Sequence, residues 1–68
     1  MDEEALNTST RKFLRQVGIL TQRELETAIR DAVASGALRG DETLDVQATV
    51  TLAGLPSEIV IPGQIRLS

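Results

Sequence analysis

Chemistry in this chain would have to come from carboxylates, hydroxyls and a few cations, because its 68 residues include neither histidine nor cysteine. The side chains most used for proton transfer and covalent attack near neutral pH are therefore missing. Ser9, Ser35, Ser57 and Ser68 carry hydroxyls, yet none has a neighbouring base to activate it. Asp41, Glu42 and Asp45 fall together and could hold a hard cation through oxygen. Their spacing lacks the about five or more fixed ligand positions of a calcium loop, so a solvated acidic turn is the plainer account. No glycine-rich loop cradles a phosphate either, since Gly36 and Gly40 follow a helical stretch where such a loop should open one. The expectation is a protein that is not an enzyme and uses no metal and no cofactor.

The one basic cluster is Arg11, Lys12 and Arg15, which share a helix side and have no acidic residue three or four positions away within that helix. A solvated helix face is the ordinary reading of such a cluster. The sharper reading is a weak nucleic-acid binder, because a helix, a short turn and a second helix over Phe13 to Val33 resemble a DNA-binding helix-turn-helix. Against it, Arg23 and Arg30 in the second helix are outnumbered by Glu24, Glu26 and Asp31, and the whole chain carries a net charge of −3.

The elements that position these groups are read from periodicity. Thr21 to Gly36 has a full set of helix signals: a Thr21/Glu24 capping box, an apolar stripe of Leu25, Ala28, Ile29, Ala32 and Val33, a Glu26/Arg30 pair, and Gly36 as the stop. An earlier helix is expected over about residues 3–17, capped by Asp2 and striped by Leu6, Thr10, Phe13, Leu14 and Val17. Gly18 should end it by taking a positive φ, and Ile19 and Leu20 should be buried at the corner, with Leu20 stapled onto Leu25. Phe13, the only aromatic residue, should be the largest core side chain.

From Thr43 the period changes to two. Leu44, Val46, Ala48, Val50 and Leu52 alternate with polar residues, and Ile59, Ile61, Gly63, Ile65 and Leu67 do so again after the turn residues Gly54 to Ser57. This predicts a β-hairpin with strands at about 43–53 and 58–67. The expected register pairs Leu52 with Ile59, Ala48 with Gly63, Asp45 with Arg66 and Leu44 with Leu67. Pro62 must turn its nitrogen outward and so blunts the edge of the second strand, while the edge carrying Gln47, Thr49 and Thr51 has no such protection. An open edge of this kind calls for a cover, and a twofold homodimer through that edge or through the helical face supplies one.

Size points the same way. A chain of 68 residues has a small core, and without cysteine or histidine it lacks the disulfide or metal that often reinforces such domains. No run approaches the roughly 20 apolar residues of a membrane span, and the acidic Asp2, Glu3 and Glu4 are unlike a signal peptide. A cytoplasmic protein is expected.

RKFLRQVG, then TQRELETAIRDAVASGALRGDETL, then an alternating tail closing on Gly63, Ile65 and Leu67, resembles a family of short bacterial proteins of unknown function. Gln22, Arg23, Glu24 and the Gly36 to Leu44 segment are its most specific part; the family's tail is more acidic than Gln64 and Arg66 here. The resemblance spans nearly the whole chain, implies a complete small protein, and assigns no activity. The expected fold is thus a single α+β domain in the order ααββ, both helices lying on one face of the hairpin. The expected role is a non-enzymatic interaction or regulatory module that self-associates or docks a protein, through Arg11, Lys12 and Arg15 or through Gln47, Thr49 and Thr51.

Overall fold

The computed structural model describes residues 1–68. It contains one helix, α1 (Glu3–Ala34), followed by two strands, β1 (Thr43–Thr51) and β2 (Glu58–Arg66). The chain divides into two compact units, Met1–Ala37 with the helix and Leu38–Ser68 with the hairpin.

The α+β composition is as expected, but the two helices at about 3–17 and 22–35 are in fact one helix of 32 residues. It starts where Asp2 predicts. One carboxylate oxygen of Asp2 accepts the N–H groups of Glu4 and Ala5, both at 3.0 Å, satisfying donors that have no partner inside the helix. The polar run Asn7–Thr10 does not delay the start, and within it the Ser9 hydroxyl donates back to the Ala5 carbonyl at 2.7 Å.

Gly18 does not stop the helix. The glycines with positive φ are Gly36, Gly40 and Gly54, whereas Gly18 is helical. A glycine inside a helix costs about 1 kcal/mol relative to alanine, less than abandoning several backbone hydrogen bonds, and Ile19 and Leu20 supply no turn chemistry to compensate. Thr21 and Glu24 then sit mid-helix, where the backbone donors that a capping box would serve are already bonded. The side chains that knit this stretch are Gln22, which donates to Glu26 at 2.9 Å, and Arg30, which meets the same carboxylate at 3.0 Å. The stop comes at the expected glycine: Gly36 takes φ 85° and its N–H donates to the Val33 carbonyl at 3.2 Å.

β1 and β2 form the expected antiparallel hairpin with a register shifted by two. Leu44 pairs with Ile65, Val46 with Gly63, Ala48 with Ile61 and Val50 with Ile59. A shift of two keeps every side chain on its expected face, so alternation alone could not separate the two registers. Packing does separate them. The expected register set Ala48 against Gly63, two small residues facing each other; the observed one sets a branched residue against each, and Val46 Cγ1 lies 3.5 Å from where a Cβ on Gly63 would be. At the loop, the Leu55 N–H donates to the Leu52 carbonyl at 3.1 Å around Gly54 at φ 86°, which draws Leu52 out of the strand. At the open end the Leu67 N–H donates to the Glu42 carbonyl at 2.9 Å, so Leu67 continues the ladder against Glu42 instead of Leu44. Asp45 accordingly meets Gln64, whose amide donates to it at 3.3 Å, and not Arg66.

Neither unit has an interior. No residue of the helix or of the hairpin is buried, and the expected pair of helices on one face of the hairpin is replaced by a single helix. Phe13, Leu14, Ile19 and Leu20 on the helix and Ile59 and Ile61 on the hairpin are each at least half exposed.

Candidate interaction surfaces

Three surfaces follow from this arrangement. The first is the basic face. Arg11, Lys12 and Arg15 lie within one stretch of α1, exposed, and none forms an ion pair; the ion pairs are Arg30 with Glu26 and Arg39 with Asp41. Glu4, seven residues before Arg11, lies on the same side of the continuous helix and offsets part of that charge.

The second is the free edge of β1. Pro62 opposes Gln47 and has no N–H to donate, which makes that pair a non-hydrogen-bonded one. Since bonded and non-bonded pairs alternate, the backbone N–H and C=O groups of Asp45, Gln47, Thr49 and Thr51 point away from β2. The bond from Leu67 to Glu42 has the parity this requires. Gln47, Thr49 and Thr51 are exposed and together on one face and one edge, as expected from the sequence. The basic triplet and this edge belong to different units.

The third surface is one that a two-helix reading hides: the apolar stripe of α1, now continuous from Leu6 to Val33. At about 100° per residue its two halves are offset by about a quarter turn, so the stripe winds slowly around the axis. Val17, Leu25, Ile29 and Ala32 along it are half-buried by their own helix neighbours, and the larger Leu6, Phe13 and Leu14 are exposed. A shallow open groove lies along the stripe, lined by Leu20, Thr21, Glu24, Leu25 and Ala28.

The acidic turn is structural. The Glu42 carboxylate accepts the N–H groups of Arg39 at 2.8 Å, Gly40 at 2.9 Å and Asp41 at 3.2 Å. The Arg39 and Gly40 donors hold its pKa below the usual carboxylate value of 4.5. Glu26 is held low in the same way by the Gln22 amide and then by Arg30. A carboxylate three residues after Arg39 and two after Gly40 was the only sequence hint of the Glu42 lock.

The family of unknown function DUF6494 matches the chain over residues 1–68, and the chain belongs to that family. No curated protein and no solved structure gives a match. No helix is long and apolar enough to cross a membrane.

Proposed function

We propose that this family member is a non-enzymatic, self-associating interaction module of the cytoplasm, whose fold is completed by a second copy. The observation that carries the reading is the missing interior. No residue of the helical unit or of the hairpin unit is buried, so Phe13, Leu14, Ile59 and Ile61 are each left about half exposed. A two-stranded sheet and a lone helix are both marginal in water, which gives each unit a reason to be covered.

Light scattering at high micromolar concentration tests this: the expected mass is a multiple of 7.3 kDa, and a mass of 7.3 kDa with full helicity would refute it. The nucleic-acid reading rests on Arg11, Lys12 and Arg15 alone; binding to duplex DNA at low salt that falls steeply as salt rises would bring it forward.

A further inference from the structure

We infer that the second copy docks along the free edge of β1, antiparallel about a twofold axis that passes through the sheet at Gln47, giving a closed four-stranded sheet in the order β2, β1, β1, β2. The inference rests on the self-association reading and names the surface and the register that carry it. The edge dictates the kind of partner: exposed residues Thr43, Asp45, Gln47, Thr49 and Thr51 all turn backbone N–H and C=O groups outward, and such a row is a template for another strand. The two edges of the hairpin decide which strand it is. Pro62 stands at the middle of β2 and leaves the centre of that edge without a donor, and Glu58 and Arg66 charge its two ends. β1 carries no proline and one charge, Asp45. A foreign peptide laid on β1 would present a new open edge of its own. A second copy instead brings its β2 to the outside, so both outer edges carry Pro62 and growth stops at two chains.

Register follows from the strand itself. Gln47 is the midpoint of β1, and an axis there pairs all 9 of its residues. Gln47 faces its own copy, Asp45 faces Thr49 and Thr43 faces Thr51 on the polar face; Val46 faces Ala48 and Leu44 faces Val50 on the apolar one. Every outward-pointing residue then falls in a bonded pair, for about ten backbone hydrogen bonds between the chains. An axis at Asp45 would set that carboxylate against its own copy, and moving the axis by one residue leaves Thr43 or Thr51 without a strand partner. Parallel pairing through the same edge would turn the two apolar faces to opposite sides of the sheet. The antiparallel axis keeps Leu44, Val46, Val50, Ile59, Ile61 and Ile65 of both chains on one side. A sheet of four strands with one apolar face passes the threshold of about three strands that a lone hairpin does not reach.

The chain has no cysteine, so single cysteines report proximity without background. Gln47→Cys and Thr51→Cys proteins are each mildly oxidised at high micromolar concentration, with the mass of each sample measured before oxidation. The axis brings position 47 of the two chains to about 5.5 Å between Cα atoms, within the span of a disulfide, and holds position 51 of the two chains about 26 Å apart. Gln47→Cys should therefore form the disulfide dimer about tenfold faster than Thr51→Cys, or more. Equal or reversed rates in an associated protein overturn the inference while leaving self-association standing; a mass of 7.3 kDa overturns both. As a second pair of variants, Thr49→Pro and Val60→Pro remove outward donors from opposite edges of one cross-strand pair. The dimer mass should be lost in Thr49→Pro and kept in Val60→Pro, and any other outcome overturns the assignment of the edge.

Discussion

Glu42 shows how one side chain sets a local structure that no periodicity announces. Its carboxylate gathers the N–H groups of Arg39, Gly40 and Asp41, and its carbonyl receives Leu67, so a single residue ties the connector to the end of the hairpin. Because its pKa is lowered in the folded chain, the stability it contributes is fully present above the ordinary value of 4.5 and is lost as pH falls through the lowered value. Glu42→Gln removes the charge at every pH. Amide exchange should therefore be faster at Arg39, Gly40 and Asp41 in the variant than in the parent at pH 7, and the difference should vanish in acid. Equal exchange at pH 7 would mean that the loop is held by something other than this carboxylate.

Among the elements, α1 is where reading by pattern and reading by structure part. Each half of the helix has its own stripe, its own end signals and its own direction on the wheel, and Gly18 stands where they meet, so two helices were the economical sequence reading. Local signals cannot say whether a glycine or a capping box is used, because that depends on whether a packed helix hairpin repays the broken backbone bonds. The hairpin was legible for the opposite reason: alternation fixes which side chains share a face, while the two-residue shift of register depended on a turn hydrogen bond and on Val46 leaning over Gly63. The outward parity of the backbone at Gln47, Thr49 and Thr51 was legible too, since the parity set by Pro62 survives that shift.

Gly18 also tests whether α1 is covered in solution. A Cβ there meets nothing in the single chain, so on a free helix Gly18→Ala should raise stability by about 1 kcal/mol. If a second chain packs against this side of α1, Gly18→Ala should give no such gain, and the urea midpoint should stay level or fall. A rise of the full amount would mean that nothing comes near this glycine.

At the scale of the molecule, the proposed self-association would make folding and assembly one event. Neither unit buries a residue, and the apolar surface each presents is the surface a partner chain would take up. Composition hinted at this, since 68 residues without cysteine or histidine have few ways to reinforce a small core. What the sequence could not show is the continuity of α1, which leaves no second helix to fold back on the first. Thermal unfolding followed by far-ultraviolet circular dichroism over a hundredfold range of protein concentration tests the point most directly. Linkage between folding and association predicts a midpoint that climbs steadily with concentration. A single midpoint at all concentrations, with the mass held at 7.3 kDa, would contradict it.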